Sequence, residues 1–259
     1  MPLARRRRPR RPGHDLLKRV ALALLAGSAI AAVLAGCGGK KAAVPNTTTT
    51  ASRTVRVYLL RHGKVQPVAR TVSETKDLPV AAVAELVERP TVAERELGLV
   101  SAVQEIEGLV VSGPVAHVPG FDRVSLAQIV YTLTQFSTVK RVEVGGKAYT
   151  RKDFEDLTPA ILVESPLPEQ SVGRPLRVSG TANTFEATFE YELLDSHGKV
   201  IAKHFVTATS GSGTRGTFDF TVPYPSGHGG LGKLVVYESS AKDGSRINVV
   251  PIPVQLSDT

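Results

Sequence analysis

The sequence predicts a chain of two folded parts behind a leader and a disordered tether. The first part is an α+β domain with helices packed on one sheet, and the second is an all-β sandwich. Three observations carry this. A short apolar run gives way to a polar, threonine-rich segment around Cys37. Between residues 54 and 158, alternating β-branched stretches are interspersed with segments whose apolar residues recur at helical spacing. From residue 161 onward only short alternating runs remain, separated by Gly, Pro, Asn and Asp.

The leader opens with Arg5, Arg6, Arg7, Arg8, Arg10, Arg11, Lys18 and Arg19, followed by a small-apolar run over residues 20–34. A basic region, an apolar run and small residues in that order predict a secretory signal peptide over residues 1–36. The run is shorter than the roughly 20 residues a helix needs to span hydrocarbon, so a stable transmembrane anchor is not expected. The string Leu34-Ala35-Gly36-Cys37 holds the single cysteine and resembles the bacterial lipobox. That resemblance implies that the thiol of Cys37 receives a diacylglyceryl group and that cleavage leaves Cys37 as the new N-terminus. Arg10-Arg11 lacks a following Phe-Leu-Lys in register, so the general secretory route is the expectation.

The formal charge of +8 points to nucleic acid only until it is divided by position. The leader holds eight of the 32 Lys and Arg and one of the 24 Asp and Glu, which leaves 24 basic against 23 acidic residues beyond it. The basicity belongs to the export signal, and a nucleic-acid partner is excluded. With one cysteine there is no intramolecular disulfide, so stability must come from buried cores. Residues 37–53, with Thr47, Thr48, Thr49 and Thr50, cannot bury a face and read as a disordered tether. Fully extended it reaches about 50 Å, and as a coil about 20 Å.

Within 54–158, Thr54, Val55, Val57, Tyr58, Leu59 and Leu60 predict a strand that ends in a turn at Arg61-His62-Gly63-Lys64. A helix is expected from Pro79 or Val80 to about Glu88, with Asp77 near its cap and Val80, Val83 and Val87 on one stripe. A short helical turn over 92–97 should stop at Gly98. Extended pieces are expected over 99–106 and 109–118, broken at Gly108 and at Ser112-Gly113-Pro114. Ser125 and Gln128 have the spacing of a capping box. Leu126, Ile129, Val130, Leu133 and Phe136 follow on one helical face, which must pack on a sheet. A strand over 139–144 closes at Gly145-Gly146.

Some of these residues match a known pattern. Leu86, Pro90-Thr91, Glu94, Gly98-Leu99-Val100-Ser101-Ala102-Val103, Thr132-Leu133-Thr134-Gln135-Phe136, Val139, Val142 and Gly146-Lys147 resemble the sporulation and spore-germination domain called GerMN. The resemblance covers about residues 54–158. Arg89 replaces the family's usual glycine before Pro-Thr, and residues 116–120 depart from its usual Val-Asp-Leu-Ser stretch.

In the second part, Leu176 and Val178 alternate with Arg177 and Ser179, and Ala187, Phe189, Tyr191 and Leu193 alternate with Thr188, Glu190 and Glu192. Asp195-Ser196-His197-Gly198 turns the chain into a hairpin partner over 199–206. Phe218, Phe220 and Val222 mark another strand, and residues 234–237 and 250–256 two more. Pro251 and Pro253 fit only a sheet edge. About seven strands in about 100 residues predict a β-sandwich of immunoglobulin type over 160–257. Ser165-Pro166, residues 178–182, Phe185-Glu186-Ala187, Gly198, Gly216-Thr217-Phe218 and residues 240–245 resemble the immunoglobulin-like domain of bacterial spore germination. The two domains are expected to fold separately and to join near Leu157-Thr158-Pro159-Ala160, where the apolar period switches from 3.6 to 2. The pair of resemblances implies an envelope lipoprotein.

No catalytic, cofactor or metal site is expected. Six histidines are scattered without metal-ligand spacing. His62 and His197 fall in turns, His204 on the outer face of a strand, and His117 near a strand end. His228-Gly229-Gly230 has the composition of an esterase oxyanion string, but no Gly-x-Ser-x-Gly elbow accompanies it. The acidic groups Glu85, Glu88, Glu94 and Glu96, and Asp153, Glu155 and Asp156, read as a solvated helix face or an interdomain linker rather than as paired catalytic carboxylates. Two functions remain. The favoured one is a non-enzymatic binding or scaffolding module, lipid-anchored through Cys37 at the outer face of the cytoplasmic membrane. Its expected partners are the membrane and other envelope proteins or cell-wall components. The rival is an envelope hydrolase with a site between the domains, which requires a deep cleft joining His117 or His228 to carboxylates.

Overall fold

The structure is a computed structural model, described here for residues 51–258. The leader, Cys37 and most of the tether lie outside the described residues. The tether was expected to run to residue 53, but β1 (Ser52–Arg61) already pairs Ser52 with Ser73 of β2 (Lys64–Ser73). The turn between them is formed by His62 and Gly63, both at positive φ (50° and 73°). Two such residues give the twist that a two-residue hairpin needs. β2 is absent from the sequence reading because Pro67, Arg70 and Ser73 blur its alternation. As the edge strand of its sheet it tolerates the proline.

α1 (Leu78–Ala84) has Pro79 in its first turn. It ends earlier than expected, so Val87 is exposed, and Ala82, Val83 and Leu86 take the buried positions. α2 (Val92–Glu96) is opened by a reciprocal cap. Thr91 accepts from the Glu94 amide, and the Glu94 carboxylate accepts from the Thr91 amide. Gly98, at φ 74°, releases the chain into β3 (Leu99–Val100), which pairs with β1.

Of the two long extended pieces expected next, only short strands form. β4 (Val110–Ser112) and β5 (Val115–His117) make a hairpin around Gly113-Pro114. α3 (Arg123–Leu133) then carries the chain to β6 (Arg141–Val144), which lies parallel to β5, and β7 (Lys147–Tyr149) follows across the Gly145-Gly146 turn. A parallel pair needs such a crossover helix. The N-terminal part is thus α+β, but its strands form two sheets, β2-β1-β3 and β4-β5-β6-β7, where one was expected.

The N-terminus of α3 differs from the expected capping box. Asp122 is the cap, its carboxylate accepting from the amides of Val124 and Ser125 (2.9 and 3.1 Å). Gln128 is fully buried and serves the sheet. Its amide donates to the Tyr58 carbonyl (2.9 Å), and its Oε1 accepts from the Ala102 amide (2.8 Å). One turn on, Thr132 accepts from the Tyr58 amide, and Gln135 accepts from the Arg56 amide. These three side chains satisfy the stretch of β1 that short β3 leaves without a strand partner, a duty that buried backbone groups cannot forgo. The opposite face, with Leu126, Ile129, Val130 and Leu133, fills the core as the spacing predicts.

The C-terminal part is all β. β8 (Ile161–Ser165), β9 (Ser171–Val172), β10 (Leu176–Ala182), β11 (Thr188–Leu194), β12 (Val200–Thr207), β13 (Gly216–Val222), β14 (Gly230–Ser239) and β15 (Arg246–Leu256) form two sheets. Their orders are β13-β10-β8 and β12-β11-β14-β15-β9. The inner faces interdigitate around Phe189 and Phe218, whose rings lie 4.9 Å apart. Gly180 sits where β10 passes so close to β8 that a Cβ would lie 2.0 Å from the Leu162 carbonyl oxygen. β15, expected at a sheet edge because of Pro251 and Pro253, lies between β14 and the two-residue β9, which pairs only with Gln255 and Leu256, while the Glu169 amide donates to the Pro253 carbonyl (2.8 Å). No ladder donor is therefore needed from Pro251 or Pro253.

Candidate binding cleft at the domain junction

A seven-residue 3₁₀ segment, Arg151–Leu157, kinked at Phe154, leads from β7 toward β8, and its side chains tie the two parts together. Arg151 donates to the Glu164 carboxylate (2.8 Å), to the Tyr131 carbonyl (3.1 Å) and to the Thr134 hydroxyl (2.8 Å). Its guanidinium lies over the rings of Tyr131 and Tyr58, at 4.7 and 5.3 Å. The Tyr58 hydroxyl also donates to Glu164. Burial works against ionisation of Glu164, but the Arg151 charge and the hydrogen bonds from Tyr58 and Arg151 outweigh it and hold the carboxyl below its usual range. Burial, reinforced by the Glu164 charge, pushes the Tyr58 phenol up, so it stays a donor. Leu162 of β8 is buried in the N-terminal core, so the junction is a packed contact.

A second tie lies beside the first. Glu155 accepts from Arg215 (2.9 Å) and from Asn183 (2.8 Å), both in the C-terminal part. The Arg215 bonds, opposed by partial burial, lower the Glu155 pKa. Asp156 is paired with Arg123 at 2.5 Å.

Next to these ties opens a cleft of about 610 Å³. The tip of the β1–β2 hairpin forms one side with Arg61, His62, Lys64, Val65 and Gln66, and the C-terminal part supplies Asn183, Arg215, Asn248, Val249 and Val250. Its volume is that of a small-molecule or short-peptide site. Both of its carboxylates are already held by arginines. Arg61 differs: its Nε is buried and meets no hydrogen-bond partner among the described residues, a state that costs about 1–3 kcal/mol. A smaller cleft of about 540 Å³ lies between β2, α2 and residues 167–170. There Arg70 and Glu94 close on each other at 2.5 and 2.8 Å.

The histidines do not converge on either cleft, except His62. The Nδ1 of His117 lies 3.5 Å from Glu143 on the neighbouring strand, and both are partly solvent-exposed. His228 Nδ1 is 3.0 Å from Asp195. That carboxylate also accepts from the amides of His197 and Lys199, which makes it the organiser of the β11–β12 turn. Burial opposes ionisation of Asp195, yet the Lys199 amide and His228 hold its pKa low. The Gly229 amide donates to Asp258 at 2.6 Å, so this glycine string secures the C-terminal segment. His204 stands on β12, where its Nδ1 accepts from the Phe205 amide. Of the acidic groups, Glu94, Asp153, Glu155 and Asp156 are occupied by ion pairs or caps, whereas Glu88 and Glu96 are exposed. Among the described residues, no group of three or more His, Cys, Asp or Glu is placed to hold a metal ion. No helix among them is long and apolar enough to cross a membrane. Cys37, the expected lipidation site, lies outside the described residues.

Of the junction residues, Arg151, Glu164 and Arg215 have no place in the sequence reading, and Glu155 and Arg61 appear there only in an acidic group and a turn. The ion-pair partners lie 13 or 60 positions apart with no local motif to flag them, and the Arg61 Nε has no hydrogen-bond partner among the described residues.

Comparison with known families gives two matches. Residues 56–149 match the family described as sporulation and spore germination, and residues 160–245 match the immunoglobulin-like domain of bacterial spore germination. A search of curated proteins found no match to the chain. The chain therefore carries, in this order, a domain of the sporulation and spore germination family and an immunoglobulin-like domain of bacterial spore germination.

Proposed function

We propose that the protein is a non-enzymatic binding module, lipid-anchored through Cys37 at the outer face of the cytoplasmic membrane, whose domain surfaces engage other envelope proteins or cell-wall components. The observation that carries this reading is the junction. The rival hydrolase needs His117 or His228 to meet carboxylates in a cleft between the domains, and neither histidine lines that cleft. Each is instead paired within its own domain, to Glu143 or Asp195. The families matched are germination-related domains, which supports a role in recognition.

The edge strands of the five-stranded sheet are β12 and β9, and strand addition at an edge supplies affinity through backbone hydrogen bonds. The other side ends in the two-residue β9, and beyond it Pro251 and Pro253 of β15 offer no backbone donor. The β12 side carries exposed Phe205 and Val200, and is the edge we assign to a partner. A photo-cross-linker placed at Phe205 in intact cells should give a discrete adduct that Val200→Pro abolishes without loss of fold. A pattern unchanged by that substitution would remove β12 from the account.

A further inference from the structure

We propose that the junction cleft is a binding site for a short peptide ending in a free carboxylate. This goes beyond the surface role above and holds whether or not Cys37 carries lipid. The chemistry of the lining defines the ligand. Arg61 lines the cleft with a buried Nε that has no hydrogen-bond partner among the described residues, and no ion pair among them engages its guanidinium. Lys64 adds a second cation, anchored by donating to the Asp156 carbonyl. The carboxylates that might neutralise them are taken, Glu155 by Arg215 and Asp156 by Arg123. An unpaired guanidinium fork beside a lysine is the complement of a carboxylate.

The remaining lining says what the carboxylate is attached to. The Gln66 side chain has no hydrogen-bond partner among the described residues and offers one donor group and one acceptor, which matches a peptide amide. Val249 is 47% exposed although it faces this cleft, and it provides apolar surface for a small aliphatic side chain. Inorganic phosphate would use the cations and leave the amide and Val249 idle. A peptide of two or three residues uses all three.

The test uses the full-length chain and three probes: N-acetyl-alanyl-valine with a free carboxylate, the same peptide as its C-terminal amide, and inorganic phosphate. Binding is followed by the NMR resonances of the Gln66 side-chain amide and the His62 ring. The free-acid peptide should shift both saturably, and the amide peptide should not. Arg61→Gln should weaken binding at least about tenfold, the loss expected for one charge-assisted hydrogen bond, and Arg61→Lys should restore part of it. Circular dichroism controls for folding. No saturable shift with the acid peptide, equal binding of the amide peptide, stronger displacement by phosphate, or full binding by a folded Arg61→Gln protein would each overturn the proposal.

Discussion

The Arg151–Glu164–Tyr58 cluster makes the junction testable by one substitution. Glu164→Gln keeps the shape of the side chain and removes its charge, leaving Arg151 without an ionic partner. Breaking a fully buried pair costs about 3–5 kcal/mol. Here the Arg151 side chain is 26% exposed, and it retains the Tyr131 carbonyl, the Thr134 hydroxyl and two aromatic faces. The expected cost is therefore lower, ~2 kcal/mol. For a folded unit of about 200 residues that corresponds to a fall in Tm of roughly 4–8 °C. The pH dependence gives a second reading. Because the folded pKa of Glu164 lies below the unfolded value of about 4.3, its stabilisation is fully present above that pH and is lost as pH falls through the folded pKa. Urea denaturation of the wild type and Glu164→Gln should differ by a constant amount from pH 6 to 8, and the difference should shrink below about pH 4. A difference under ~0.5 kcal/mol at pH 7, or one that persists undiminished to pH 3, would refute the role assigned to this carboxylate.

Gly180→Ala should destabilise the sandwich by more than ~2 kcal/mol, since its Cβ would lie 2.0 Å from the Leu162 carbonyl oxygen and 2.7 Å from the Phe218 ring; a thermal melt within 1 °C of wild type, a change well under ~0.5 kcal/mol, would contradict the close approach of β10 to β8. Cys37→Ser should release the protein from the membrane or leave its precursor uncleaved, read by fractionation and mass; normal processing with full membrane retention would end the lipoprotein proposal. A fragment starting at Ala160 should melt cooperatively with a β-rich circular dichroism spectrum, although it forfeits the contacts of Leu162 and Glu164 with the N-terminal part; an unfolded fragment would count against separate folding.

Much of the fold was legible because periodicity reports burial directly. The apolar face of α3 and the alternation of β10, β11 and β13 follow from residue spacing, whereas Pro251 and Pro253, expected at a sheet edge, stand on β15 between β14 and the two-residue β9. The start of α3 was misplaced because Ser125 and Gln128 have capping-box spacing. Asp122 lies one turn earlier and is the stronger acceptor, while Gln128 is drawn to the unpaired backbone of β1. Likewise Thr132 and Gln135, recognisable as family residues, had no assigned duty until β3 was seen to end after two residues. β2 was missed because an edge strand does not need a clean alternation. The junction was not legible at all. Its ion pairs join residues whose charges look solvated in sequence, and only the packing of β8 against the N-terminal core shows otherwise.

The central claim is that the protein binds and does not catalyse. It is tested most directly by replacing His117 and His228 together with alanine in the full-length protein, and by comparing its cross-linked partners and any turnover of envelope substrates with wild type. The account predicts an unchanged partner pattern, because each histidine is paired inside its own domain and neither lines the junction cleft. A turnover activity present in the wild type and abolished in the folded double variant would contradict it and establish a hydrolase.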